Sequence, residues 1–194
     1  MDKYITQRMP TGTVIAQTVG ITTSLFLLGG NAVLSLVAIP AAMQAPAALA
    51  VKQWHTIFTR GGAIGRPLAI ISAIATGYLA YKQDPKSTPF RLNVAATILL
   101  PSIVPFTLLV LGPTNNKLIA KKDEFAAAHA KGKAIKANTA DGETVHELMD
   151  KWATLNAARA VLVAAGALCT VIAAVNKREV AKLGSMSMAS RLGW

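Results

Sequence analysis

The chain has 194 residues, 53% of them hydrophobic and 15% charged, with a formal charge of +11. Soluble domains carry about 25% charged residues; here the apolar residues stand in long uncharged runs, which excludes an ordinary soluble globular class. A single cysteine, Cys169, excludes an intrachain disulfide, and cations that flank apolar runs without a basic–aromatic stripe suit anionic lipid headgroups rather than nucleic acid.

Thr13 to Ile39 contains no charged side chain, a length that crosses a hydrocarbon core of about 30 Å with some tilt. The run is too long for a signal-peptide core and lacks a convincing cleavage site, so it reads as a mature span ended by Pro40. Gln17, Gly20, Ser24, Asn31 and Ser35 fall near one helical face. In lipid such a face turns toward other helices or a cavity. Gly29 and Gly30 are expected to allow close helix approach. Ala41 to Ala50 is a small apolar connection interrupted by Pro46. Val51 to Gly62 reads as a separate amphipathic helix lying at the interface, with Trp54 and Phe58 at i and i+4 and a stop at Gly61-Gly62. Trp54 could be a belt anchor and no more.

The second span is expected over 67–82, followed by a turn through Asp84-Pro85 and Thr88-Pro89. The third covers 92–112 and holds Pro101 and Pro105, with Pro113 just after it. Three prolines predict a bent or broken helix, and broken helices at membrane depth line cavities. Thr107, Leu111, Asn115 and Leu118 share one face, and Pro113 should kink or stop the helix near Gly112. Residues 117–151 form the charged extramembrane segment, expected as two helical extensions joined near Asn138 to Gly142. Thr144 is a cap with Glu147 at the capping-box position, and the fourth span covers 155–175. The basic tail from Asn176 to Trp194 reads as weakly ordered. The whole is one membrane domain of four spans, with both termini on one side. Lys and Arg divide almost evenly between the two sides, so charge does not set the orientation. The fold class is all-α: a four-helix membrane bundle with an interfacial helix and an extended hairpin between spans three and four.

The sequence has no CxxC, HExxH, P-loop or GxSxG pattern. His129 and His146 lie in the charged segment and read as solvated. His55 stands beside Trp54 with Lys52 and Arg60 nearby, cations that favour a neutral imidazole able to accept a proton; an interfacial aromatic role is the alternative. Trp152, Asn156 and Arg159 fall at i, i+4 and i+7 on one helical face. An arginine a turn inside a span is costly unless it snorkels or finds a partner. Asn115 and Asn116 could meet it from the third helix, or could form the polar exit of that helix.

Trp54-His-x-x-Phe58-x-Arg60-Gly61, Pro105-x-Thr107, Pro113-Thr-Asn115-x-x-Leu118 and Trp152-x-x-x-Asn156-x-x-Arg159 together resemble the pattern of the DUF1772 membrane proteins. The named members of that family are anthrone oxygenases of polyketide pathways, of the noranthrone monooxygenase type, and many members have no known activity. The resemblance implies oxidation of an anthrone to an anthraquinone by molecular oxygen, without flavin or nicotinamide. That chemistry needs a base, a cation or amide for the oxyanion and a dry aromatic pocket, which points to His55, Asn115 and Arg159 as catalytic residues and Trp54, Thr107, Asn116, Trp152 and Asn156 as substrate-binding residues, expected to converge at the bilayer edge. The implied partners are a flat apolar aromatic substrate and membrane lipid, in an endomembrane such as the endoplasmic reticulum if the cell is eukaryotic; homo-oligomerisation stays open. A haem- or metal-dependent oxidase using His55 and a non-catalytic carrier or assembly protein are the alternatives.

Overall fold

The computed structural model describes residues 9–131 and 143–176. The polar head before Met9, the expected hairpin tip at Asn138 to Gly142 and the tail after Asn176 lie outside them.

Four helical stretches, Thr11–Ala42, Ala47–Tyr81, Thr88–Ala130 and Val145–Val175, are each long and apolar enough to cross a membrane. Among the described residues there is no strand. The all-α membrane bundle is therefore the architecture. The first stretch is α1 (Thr11–Val33), a π turn (Leu34–Ala38) and α2 (Ile39–Ala42). The second is one helix, α3 (Ala47–Tyr81). The third is segmented into α4 (Thr88–Leu99), α5 (Ile103–Phe106), a second π turn (Thr107–Leu111) and α6 (Gly112–Ala130). The fourth is α7 (Val145–Val175). Helix α1 packs on α3 and α7, and α4 packs on the same two, so the four stretches close a four-cornered bundle. Helix α6 leans onto α3 and α7 at one end.

Lipid offers no hydrophobic gain for helix pairing, so spans associate through close packing and interhelical hydrogen bonds. Both devices are visible. A Cβ on Gly166 would stand 2.9 Å from the Leu100 side chain, and one on Gly20 would touch Thr170, Ala75 and Thr76. Thr23 and Ser72 hydroxyls join α1 to α3 at 2.6 Å, and Thr76 and Thr97 join α3 to α4 at 2.8 Å. Outward-facing Phe26, Ile74 and Val161 are exposed, as lipid-facing side chains are.

Within the spans and their connections, four expectations change. Pro40 does not end the first span, because the preceding π turn shifts the backbone ladder from i→i−4 to i→i−5 and accommodates the missing N–H. Of the two outcomes expected near Gly112, a kink or a stop, the stop does not occur: the same device at Thr107–Leu111 carries the third stretch through Pro113, with the change of helix type falling at Gly112. The interfacial helix at Val51 to Gly62 is not separate. It is the first half of α3, because its apolar face (Ala50, Val51, Trp54) is buried against the bundle and Gly61-Gly62 costs only about 1 kcal/mol per glycine in a helix. Finally, Gly29 and Gly30 face outward with nothing within 4 Å of an added Cβ; the close approaches fall at Gly20 and Gly166.

The charged segment is helical through Ala130, and α7 opens with the expected capping box. Thr144 Oγ1 accepts from Glu147 N at 3.2 Å while the Glu147 carboxylate accepts from Thr144 N at 2.7 Å. Glu143 bridges Lys117 and Lys151, tying α6 to α7. Hydrogen bonding from Lys117, opposed by some desolvation, holds the Glu143 carboxyl below its ordinary value of 4.5. His146 is half-buried rather than solvated: its ring contacts the Ala45 carbonyl at 3.1 Å and pins the α2–α3 turn to α7.

Candidate functional site

Where α2, α3, α6 and the start of α7 meet, large side chains replace the small ones of the spans. Ile39, Val51, Leu111, Leu118, Leu148 and Met149 are buried there around Trp54 and Trp152. The two indoles pack edge to face, with centroids 6.3 Å apart and planes at 84°. Phe58, one turn along α3, stacks on Trp54 at 5.3 Å and 6°. Trp54 is 0% exposed. It is therefore not a belt anchor: the continuous α3 turns it into the bundle. The indoles differ in one respect. Trp152 Nε1 donates to Asn115 Oδ1 at 2.8 Å, whereas Trp54 Nε1 is buried with no hydrogen-bond partner among the described residues.

One and two turns further along α7, Asn156 and Arg159 meet both π turns. Asn156 Nδ2 donates to the Asn31 carbonyl at 2.9 Å and to Ser35 Oγ at 2.6 Å. Arg159 Nε donates to Asn31 Oδ1 at 3.0 Å, Nη1 to Thr107 Oγ1 at 2.7 Å, and Nη2 to Asn156 Oδ1. The acceptors are themselves fixed. Asn31 Nδ2 donates to the Leu27 carbonyl at 2.7 Å, and Thr107 Oγ1 donates to the Ile103 carbonyl at 2.6 Å. A π turn thus stands beside each acceptor that α7 reaches, Ser35 lying in the first and Thr107 in the second; π turns recur at functional sites for this kind of local re-aiming.

The electrostatics follow from that shell. Every partner of the Arg159 guanidinium is neutral, and among the described residues no carboxylate pairs with it. Guanidinium has five N–H donors, so two remain after the three bonds above. A half-buried cation with neutral partners and spare donors is arranged to accept an anion.

The structure brings Thr107, Asn156 and Arg159 into direct contact and places Asn115 and Trp152 as a hydrogen-bonded pair beside them. Asn115 Nδ2 makes no hydrogen bond among the described residues and stays available as a donor. Asn116 does not join them; it is exposed on the outer face of α6, because successive helical residues point about 100° apart. His55 is half-buried, 6.4 Å from Trp54 between ring centroids, and its ring makes no hydrogen bond among the described residues. Trp54 touches Trp152, and Arg159 lies seven residues beyond Trp152 on α7, about 10 Å of helix rise. Asn31 and Ser35 are site members that sequence reasoning placed on an inward face without giving them a role. Their signal was the i, i+4 spacing of an amide and a hydroxyl inside an uncharged span. Among the described residues no group of three or more His, Cys, Asp or Glu could hold a metal ion.

Comparison with known proteins adds a family. Residues 54–169, from Trp54 through the Arg159 cluster, match the family described as "Anthrone oxygenase". Anthrone oxygenase encC of Aspergillus fumigatus is 30% identical over 173 residues, covering 84% of this chain and 94% of that protein. Noranthrone monooxygenase of Aspergillus flavus is 31% identical over 153 residues, covering 77% and 69%. Anthrone oxygenase AgnL2 of Paecilomyces divaricatus is 29% identical over 163 residues, covering 80% and 93%. No solved structure matches the chain significantly.

Proposed function

The chain belongs to the anthrone oxygenase family and is an oxygenase-type enzyme, and from that premise we propose that it oxidises a membrane-dissolved polyketide anthrone to an anthraquinone with molecular oxygen. The observation that carries the reading is the Arg159 guanidinium with its neutral shell and two spare N–H groups. An anthrone becomes reactive when a proton leaves its methylene carbon, which puts negative charge on the carbonyl oxygen across the ring. A preorganised cation in a water-poor site stabilises that oxyanion without reorganising.

The two candidate groups stand at different levels of the bundle: Arg159 lies two turns beyond Trp152 on α7, and His55 follows Trp54, which packs on Trp152. In this reading the substrate carbonyl lies at Arg159 and the methylene toward Trp54 and His55, and His55 takes the proton. The anion gives one electron to dioxygen, the resulting radical pair forms a C–O bond, and a hydroperoxide results. Loss of the second methylene proton with cleavage of the O–O bond gives the quinone and water. One anthrone and one dioxygen yield one quinone and one water, so the balance needs no flavin or nicotinamide, and no dinucleotide fingerprint stands in the sequence. Flat apolar substrates reach such a site from the bilayer, consistent with an endomembrane location.

The test is anthrone turnover with oxygen uptake by the purified protein in detergent or nanodiscs. The expected stoichiometry is one dioxygen per quinone. Arg159→Ala should lower kcat by about 10²- to 10³-fold, the loss seen on removing an oxyanion donor, in protein that still inserts. An inserted Arg159→Ala variant with wild-type turnover removes the site from the mechanism. His55→Ala should slow the reaction and flatten its pH dependence.

A further inference from the structure

Of the two buried indoles, one has an acceptor and the other does not. Trp152 is bonded to Asn115, while Trp54, although fully buried, has no partner among the described residues. A buried N–H left unpaired is costly, and buried tryptophans normally find a partner. Trp54 is also the residue adjacent to His55, and it packs on Trp152, two turns before Arg159 on α7. With the substrate carbonyl on Arg159, the face next to Trp54 is the methylene carbon. That carbon carries no oxygen in the anthrone and carries one in every later species.

We propose that the Trp54 indole N–H is the donor that holds the oxygen added by the reaction. The inference rests on the anthrone oxidation proposed above. When the substrate anion passes an electron to dioxygen, the negative charge moves from the carbonyl end of the site to the new oxygen atoms. Arg159 serves the first charge, and Trp54, packed on Trp152 two turns earlier on α7, serves the second. Trp54 donates to the reduced dioxygen, then to the carbon-bound oxygen of the hydroperoxide. It stays on that atom as the second C–H bond breaks, its electron pair forms the C=O bond, and the outer oxygen leaves as hydroxide and is protonated to water. The unpaired N–H of the resting protein is thus matched to product and transition states and not to the substrate, which is how binding groups raise kcat rather than lower KM. Phe58, half-buried and stacked on the indole, is the side chain that yields to admit the substrate ring.

Trp54→Phe keeps an aromatic ring and removes the N–H. Its expected effect is a fall in kcat of about tenfold, the worth of one neutral hydrogen bond, with KM for the anthrone unchanged. Inhibition by the anthraquinone product should weaken by a similar factor. A purely structural Trp54 would reduce folded protein or raise KM without changing the ratio of quinone to anthrone binding; unchanged kcat or unchanged quinone inhibition overturns the proposal. If Trp54→Phe does not fold, the wild-type protein supplies the answer through its indole ¹⁵N–¹H resonances. Anthraquinone should shift the Trp54 resonance downfield and leave that of Trp152 in place, and anthrone bound without oxygen should shift neither. A bound quinone that leaves Trp54 unmoved discards the proposal while anthrone oxidation stands. Wild-type protein that neither turns over an anthrone nor binds the quinone removes both.

Discussion

The molecule has two cores built on different rules. In the spans, Leu27, Ala69, Ala96, Leu100, Ile103 and Val163 pack with glycines and short hydroxyl side chains between them. At the α2–α3–α6–α7 end, two tryptophans and a shell of Leu, Ile, Val and Met fill the interior. The first follows from lipid as solvent: helices gain little by hiding apolar surface from lipid, so backbones must approach closely. The second resembles the interior of a soluble bundle, where large apolar groups are removed from water. The polar cluster of Asn31, Ser35, Thr107, Asn156 and Arg159 sits at the join, where both proline-associated π turns occur. Close packing leaves no room for a ligand, and a core of aromatic and aliphatic groups leaves no charge for one. The join has both a cation and flat aromatic walls.

The comparison breaks most sharply at the hub of the join. Asn156→Leu removes the acceptor of Arg159 and the donor to Asn31 and Ser35 together. A loss of turnover of tenfold or more should accompany a destabilisation of about 1–3 kcal/mol from buried groups left unpaired, measured by activity and thermal unfolding in detergent. If stability falls and activity per folded molecule does not, the cluster is structural only.

The packing rule of the lipid core is tested by Gly166→Ala against Gly29→Ala. A Cβ at 166 meets Leu100 at 2.9 Å and one at 29 meets nothing within 4 Å. The first change should cost about 1–3 kcal/mol through overpacking. The second should be neutral or stabilising by up to about 1 kcal/mol through helix propensity. Equal thermal shifts for the two would mean that close approach does not hold the spans together.

At the aromatic end, Thr144→Ala opens the capping box and should destabilise the start of α7 by about 1 kcal/mol. Amide exchange should rise over Val145 to Met149 and not over the span. The smallest effect concerns Glu143. Its carboxyl is held below 4.5, first by the hydrogen bond from Lys117, so the folded state binds its proton less readily than the unfolded state. The contribution to stability is fully present above pH 4.5 and is lost as pH falls through the lowered folded value. The pair is exposed, so the effect is small and salt should shrink it. Glu143→Gln should remove that part of the pH dependence; a steeper acid transition in the variant would show that another group sets it.

Much of this was legible in the chain. Uncharged runs fix four spans because an unpaired backbone or charge in hydrocarbon is costly, whatever the fold. Thr144 and Glu147 announce the start of α7 because a cap is a local device, complete within four residues. Trp152, Asn156 and Arg159 share a face because helical period alone puts them there. The inward direction of Asn31 and Ser35 follows from their polarity inside an uncharged span.

What the sequence left open were matters of partner and register. Pro40 and Gly61-Gly62 look like helix stops, and locally they are. The packing of α3 against Trp152 and the π turn before Pro40 outweigh those local costs. Nothing in the order of residues says that Arg159 meets Asn31, 128 positions away, and Thr107, 52 positions away; that contact exists only because α7 stands beside both α1 and the third stretch. The same holds for the unequal tryptophans, which share a residue type and a buried setting. Only the tertiary structure gives Trp152 the Asn115 side-chain oxygen and leaves Trp54 without an acceptor among the described residues, because hydrogen bonds between helices depend on distance and angle, and these are set by how the helices pack.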